Sequence, residues 1–336
     1  MRQTGPEMSD NVSILPTRSD AVGRNPGMAF EPEWLEEVRI NTSAVERRAA
    51  NIPARRTVKK EWQTAWLLKA LTCIDLTTLS GDDTPGRVKR LCAKARPPVR
   101  QKVLDALGAG ELGIQVGAVC VYHAMIAPAV QALAGSGIPI AAVSAGFPAG
   151  LSAPRARLLE VEESVAAGAS EIDIVIDRSN VLTGDWQALY DEVRAYREAC
   201  GAAHLKTIIA TGDLATLRNT AKASLVCMMA GADFIKTSTG KESTNATPAV
   251  SLVMLRMIRA YGERTGCRVG FKPAGGISTA KAALGYLFMM KEELGRPWLE
   301  PELFRIGASS LLTDIERQLE HRAGGRYAAR HHQPMA

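Results

Sequence analysis

Residues 233–238 read Asp-Phe-Ile-Lys-Thr-Ser, and residues 269–274 read Val-Gly-Phe-Lys-Pro-Ala. Each is a short apolar run interrupted by one lysine, and a helical stretch separates them. Strand, helix, strand in that order is the unit of a parallel sheet, because parallel strands need a crossover long enough to hold a helix. Outward from this pair the unit repeats. Eight runs are legible: Cys73–Thr77, Gly117–Tyr122, Ile138–Gly146, Glu171–Asp177, Leu205–Ala210, Asp233–Ser238, Val269–Ala274 and Phe304–Ala308. The last is followed by Leu311, Leu312, Ile315 and Leu319 at helical spacing. Eight repeats predict an α/β protein with a closed (β/α)₈ (TIM) barrel rather than an open doubly wound sheet, which more often has about five or six strands.

The rest of the chain is arranged around that barrel. Residues 1–30 are rich in Pro, Gly, Ser and Asn without periodicity and are expected to be a disordered extension. Residues 31–70 carry Trp34, Leu35, Val38 and Ile40, then Trp62, Trp66 and Leu67, as apolar stripes of a helical segment. The barrel is expected over 71–325 and a flexible tail over 326–336. Gly108-Ala-Gly110-Glu-Leu-Gly113 spells a dinucleotide fingerprint, but it ends a helix and precedes a strand, the reverse of the order that motif requires.

The 336 residues are 46% hydrophobic and 23% charged, which suits a chain able to bury one sizeable core and excludes fibrous and disordered classes. No apolar run reaches the roughly 18 residues of a membrane span, and the first thirty residues lack a secretory h-region, so a cytoplasmic location is expected. Cys73, Cys92, Cys120, Cys200, Cys227 and Cys267 show no metal or redox spacing and read as reduced thiols. No metal site is expected. The N-x-S/T triplets at Asn11, Asn41 and Asn245 then have no glycosylation meaning. Net charge is +6, and seven Lys/Arg fall between Arg87 and Lys102 without an acid. Val88, Leu91, Cys92 and Ala95 recur there at helical spacing, so the stretch reads as the solvated face of an outer helix rather than a nucleic-acid patch.

Barrel active sites form where strands end. A lysine inside an apolar strand beside a second cation loses part of its preference for the charged form, which is what Schiff-base catalysis needs. Lys236 and Lys272 fit that description, although pairing with a carboxylate in a structural ion-pair network fits them equally. Asp173 is either their partner or a proton carrier, and both roles are compatible. Alternation puts Asp173, Val175 and Asp177 on one face of their strand. The turns Thr237–Lys241, Gly275–Ser278 and Gly307–Ser310 are rich in small residues whose N–H groups can meet an anion, with Ser309 and Ser310 opening the last helix.

These segments, in this order from about Ala70 to Tyr327, resemble the deoxyribose-phosphate aldolases, together with Cys-Ile-Asp75-Leu-Thr77-Thr-Leu, Ala-Val-Cys120-Val-Tyr, Phe-Arg-Ile-Gly307-Ala-Ser-Ser and Ala145-Gly-Phe-Pro-Ala-Gly150, the last suggesting the family's longer-chain branch. The resemblance implies that Lys236 forms the Schiff base, Lys272 lowers its pKa and Asp173 moves protons. It implies that Asp75, Thr77, Cys120 and Thr239 line the sugar site. Gly240, Lys241, Gly275, Gly276, Gly307, Ser309 and Ser310 would cradle phosphate. The reaction implied is reversible cleavage of 2-deoxy-D-ribose 5-phosphate, in deoxyribonucleoside catabolism, with no cofactor, no metal, and neither nucleic acid nor membrane as partner; a homo-oligomer is compatible. Three positions depart from the pattern: Ser278 in place of an arginine, His123 in place of a proline, and Tyr327 as the sole tail tyrosine. The rival readings are another Schiff-base barrel aldolase and a barrel that binds nucleic acid or protein through Arg87–Lys102.

Overall fold

The computed structural model describes residues 23–329 and residue 333. Eight strands form one parallel sheet: β1 Ile74–Thr77, β2 Ala118–Tyr122, β3 Ile140–Ser144, β4 Glu171–Val175, β5 His204–Ile208, β6 Phe234–Lys236, β7 Gly270–Lys272 and β8 Ile306–Ala308. They pair in sequence order, and β1 also pairs with β8. The parallel bridges Phe271–Phe304 and Ala274–Gly307 join β7 to the β8 segment, so the ring closes. Each strand lies inside its expected run except β5, which starts one residue earlier, at His204.

Alternation along the strands divides two environments. The outward set, including Ile74, Leu76, Val119, Val121, Ile172, Ile174, Leu205, Ile235, Phe271 and Ile306, is buried against the surrounding helices. The inward set is different in kind. Cys120, Ala141 and Val143 make a small apolar cluster inside β2 and β3, whereas Asp75, Glu171, Asp173, Lys206, Lys236 and Lys272, all buried, supply ionisable groups from five other strands. Interiors of such barrels are ordinarily filled by branched apolar side chains; here half the ring is charged. Asp177 does not join that face. It lies past the end of β4, where its side chain accepts from Ser179 N and caps the short helix Arg178–Thr183.

The helices begin where threonine caps them. Thr84, Thr216, Thr247 and Thr279 each accept a hydrogen bond from a first-turn N–H, and Pro85 and Pro248 occupy the first helical positions. The helix Pro85–Ala95 buries Val88, Leu91, Cys92 and Ala95, as its spacing requires. Much of the basic stretch is spent inside the molecule: Arg87 on Asp82 and Asp83, Lys94 on Glu316, Arg100 on Glu320, and Arg96 on the carbonyls of Ala132 and Ala134. Gly110–Leu112 is a single 3₁₀ turn between a helix and β2, so the dinucleotide-like spelling has no strand before it.

Three helices, Pro32–Glu37, Thr42–Arg55 and Lys60–Thr72, precede the barrel. The extension expected over residues 1–30 needs correcting at its inner end, while residues 1–22 lie outside the described residues. Asn25 is buried, donates to the carbonyls of Met228 (2.8 Å) and Ala232 (2.9 Å), and accepts from the Tyr261 hydroxyl. Its backbone N–H donates to Asp233. Composition cannot reveal such an anchor, because its partners lie some two hundred positions further on.

Under the charged layer, Phe234 on β6 faces Gly270 on β7. A Cβ on Gly270 would stand 2.4 Å from the Phe234 ring, which has no room to withdraw because it is itself buried. Gly270→Ala is therefore expected to destabilise the protein by about 1–3 kcal/mol, the usual cost of overpacking. A urea midpoint equal to that of the unsubstituted protein would show that the ring does not floor the barrel.

Candidate active site

The ionisable side chains converge inside the barrel. Asp173 Oδ2 accepts from Lys236 Nζ at 2.8 Å and from Lys272 Nζ at 2.7 Å, and its Oδ1 accepts from Lys206 Nζ at 3.1 Å. Lys272 also lies 2.5 Å from Asp75 Oδ2, off the line of a hydrogen bond, so charge rather than bonding geometry holds that contact. Below them Lys206 donates to Glu171. Arg305 donates to Asp75 Oδ1 at 2.6 Å and to both oxygens of Glu171 at 2.9 and 3.2 Å. Register brings the groups together, because Asp173 pairs across to Lys206 and Lys236 to Lys272.

The three buried lysines do not share one fate. Burial pushes the Lys236 amine down; Asp173 opposes this, Lys272 reinforces it, and the net shift is downward. Burial also disfavours charge on Lys272 and Lys206, but each has more carboxylate beside it. Asp173 and Asp75 carry Lys272 upward, and Asp173 and Glu171 carry Lys206 upward. Burial alone would raise Asp75 and Asp173. The cations around them outweigh it and hold both below the usual carboxylate range. Lys236 is thus the amine most readily present in neutral form. Both readings of the lysines hold together: they form an ion-pair network, and within it one amine is depressed.

Lys236 lies at the edge of a cavity of about 1340 Å³. Thr77, Thr239, Gly240, Lys241, Gly275, Gly276, Gly307, Ser309 and Ser310 line it, as does Ser278. Asp75 and Cys120 do not: Asp75 is sealed beneath Lys272, and Cys120 is buried in the apolar cluster, where burial pushes its thiol up. Gly275 (φ +86°) and Gly276 (φ +79°) adopt left-handed backbone that a side chain would strain. Among the described residues, no acceptor takes the N–H groups of 275–278 or of Ser309 and Ser310, and no side chain caps the helix Leu311–Gly324. These are free donors at a helix N-terminus, suited to an anion.

The turn after β6 differs. Glu242 accepts from Thr239 N–H (3.0 Å), the Thr239 hydroxyl (2.8 Å) and Gly240 N–H (3.1 Å), and Lys241 N–H donates to Thr239 Oγ1. Gly307 N–H is likewise taken, by Pro273 O. What this turn presents outward is the Lys241 ammonium, which reaches Leu79 O at 3.0 Å.

Sequence reasoning missed Glu171, Lys206, Arg305, Glu242, Arg87 and Arg317. Lys206 in Leu205-Lys-Thr207 and Arg305 in Phe304-Arg-Ile306 carry the same signal as Lys236, an ionic residue inside an apolar run. Thr239-x-x-Glu242 has capping-box spacing. Arg87 and Arg317 line the cavity from helices, and on a helix nothing distinguishes them from solvated residues. Of the departures, Ser278 lines the cavity and His123 Nδ1 lies 3.0 Å from Ser164 Oγ. The Tyr327 ring stacks on His321 at 4.3 Å. Among the described residues no three His, Cys, Asp or Glu side chains are grouped to hold a metal ion, and no helix is long and apolar enough to cross a membrane.

Residues 69–314 match the family model of the DeoC/LacD family aldolases. A human protein named deoxyribose-phosphate aldolase is 59% identical over 314 residues, 93% of this chain and 99% of that protein. Its mouse counterpart is 60% identical over 312 residues, covering 92% and 98%. Among solved structures, one from Toxoplasma gondii in its apo form superposes with a TM-score of 0.66 at 23% identity, covering 77% of this chain and 98% of that one. The tetrameric deoxyribose phosphate aldolase of Aeropyrum pernix gives 0.58 at 20%, covering 83% and 98%. At those identities the structures speak to the barrel fold alone.

Because the native pKa values of Asp75 and Asp173 lie below the unfolded value of about 3.9, their stabilisation is complete above that pH and is lost as pH falls through the native values. The urea midpoint should hold between about pH 7 and 5 and drop steeply below about 4. Asp173→Asn should cost about 3–5 kcal/mol at neutral pH, having stripped three ammonium groups of a shared partner, and should blunt the acid fall. An acid fall of undiminished size in that variant would place the titrating carboxylates elsewhere.

Proposed function

The chain belongs to the DeoC/LacD family of aldolases, and we propose that within it the protein cleaves 2-deoxy-D-ribose 5-phosphate reversibly to acetaldehyde and D-glyceraldehyde 3-phosphate through a Schiff base on Lys236. The observation that carries this reading is the single depressed amine at the edge of a cavity whose other wall offers free N–H donors.

The neutral amine of Lys236 attacks the C1 aldehyde of the open-chain sugar, and the carbinolamine loses water to give an iminium. Removal of the C3 hydroxyl proton lets the C2–C3 bond break, its electron pair passing into the iminium to form an enamine while glyceraldehyde 3-phosphate departs. Protonation at C2 and hydrolysis release acetaldehyde and return the amine. The electron sink is the iminium itself, so the sequence of steps calls for no cofactor. Asp173, anionic in the resting site and 2.8 Å from Lys236, is the carboxylate placed to move these protons through a water. Lys272 disfavours charge on Lys236 by proximity and is kept charged by Asp173 and Asp75.

The phosphate end belongs at Gly275, Gly276, Ser309 and Ser310, with Lys241 as mobile cation. Gly240 and Gly307 shape that wall without donating from their own N–H groups. Thr77 and Thr239 border the sugar, Cys120 packs behind it, and Asp75 acts from beneath by holding Lys272. We assign the reaction to deoxyribonucleoside catabolism in the cytoplasm.

Acetaldehyde with borohydride should inactivate the protein by reductive alkylation of Lys236, located by peptide mass mapping, and Lys236→Ala should lose essentially all turnover. An adduct confined to Lys206 or Lys272 would overturn the assignment. Failure to form acetaldehyde and triose phosphate from the deoxysugar phosphate would overturn the substrate.

A further inference from the structure

The buried cluster contains three carboxylates, Asp75, Glu171 and Asp173, and four cations, Lys206, Lys236, Lys272 and Arg305. With every group ionised it holds one positive charge in excess. The partners are unevenly shared. Lys206 lies within 4 Å of Asp75, Glu171 and Asp173, Lys272 touches Asp75 and Asp173, and Lys236 touches Asp173 alone.

Arg305 competes for two of these three carboxylates. It enters from the residue before β8, is 4% exposed, and spans the barrel to fork across Glu171 with Nη1 and Nη2 while Nη1 also donates to Asp75. Gly117 leaves it room, since a Cβ there would meet the Arg305 Cδ at 3.2 Å. We propose that Arg305 is a positioning residue for the reactive amine: by competing with Lys206 and Lys272 for Glu171 and Asp75 from the bottom of the barrel, it keeps both lysines on Asp173, the one carboxylate that all three lysines touch. Lys236, with a single claim on it, is the lysine left short of negative charge.

The groups facing this arrangement are few. Asp173 of β4, Lys272 of β7 and the buried Cys120 thiol of β2 surround Lys236, with the Phe147 ring 6.0 Å from its Nζ. Asp75 of β1, Glu171 of β4 and, beyond Glu171, Lys206 of β5 surround Arg305, and His204 Nδ1 lies 3.9 Å from Glu171. Removing the guanidinium leaves Asp75 to Lys272 and Glu171 to Lys206 without a competing cation, which strengthens pairs already in contact. Both changes return Asp173 to Lys236 and favour its ammonium form.

The inference rests on the reading of Lys236 as the Schiff-base residue, so its test reads the amine itself. The rate at which acetic anhydride acylates Lys236 is followed against pH by mass mapping, in the full-length protein without substrate. Arg305→Met should move the titration midpoint of Lys236 up by about one pH unit or more, the size of effect a neighbouring charge produces. Arg305→Lys should bring it most of the way back, and Glu171→Gln should move it down, because that change leaves the cluster more positive. A purely structural arginine would lower the melting temperature of Arg305→Met and leave the midpoint in place, which overturns the proposal. Should Arg305→Met fail to fold, Glu171→Gln decides, and a midpoint unmoved or raised there overturns it equally. Absence of a borohydride adduct on Lys236 would instead refute the Schiff base, whatever the titration shows.

Discussion

Three ammonium groups meet one carboxylate, Asp173, deep inside the barrel. Desolvating an ion costs several kcal/mol even after relaxation, so the arrangement persists only where partners are numerous and geometry is fixed. The barrel supplies both. Asp173, Lys206, Lys236 and Lys272 stand on four neighbouring strands, held by backbone pairing on either side, so these charges cannot drift apart to satisfy themselves singly. The strain falls on the group with the fewest partners, which is also the one that opens to the cavity. The fold cannot satisfy all its buried charge, and the remainder faces the cavity.

This also explains which parts were legible in the sequence. The eight strands were visible because parallel strands, buried on both faces, read as apolar runs. Lys236 and Lys272 stood out against that background, each followed by a turn rich in glycine and hydroxyls. Glu171 was harder to see because it is the first residue of its strand, where an ionic residue also marks the end of a helix-to-strand turn, whereas Arg305 lies inside the run Phe304–Ala308 and carried the signal. Lys206 sits mid-strand and could have been found by the same rule as its neighbours. Donor accounting was not legible at all. Sequence shows that Gly240 and Gly307 have N–H groups, and only the folded chain shows that Glu242 and Pro273 have already taken them.

The two sides of the cavity therefore differ in kind. The turn after β6 is closed on itself by Glu242 and offers the ammonium of a long side chain, held on Leu79 O, while the turns after β7 and β8 offer unclaimed backbone dipoles. Fixed dipoles are preorganised and need no rearrangement when charge arrives, whereas a lysine adapts to where the charge sits. Arg87 and Arg317 border the same space from the helices Pro85–Ala95 and Leu311–Gly324, Arg87 already paired with Asp82 and Asp83.

The buried Asn25 has a consequence for how the molecule comes into being. Its partners are Met228 at the end of the helix before β6, Ala232 and Asp233 in the turn into β6, and Tyr261 on the helix that follows. During synthesis the chain leaves the ribosome from its amino end, so Asn25 cannot hold all these partners until the helix after β6 has emerged. Closure of the ring waits longer still, for β8 to reach β1. Contacts of such sequence separation form late and slow the search. The segment around Asn25 therefore gains its full set of partners only after most of the barrel has been made, yet before the ring can close.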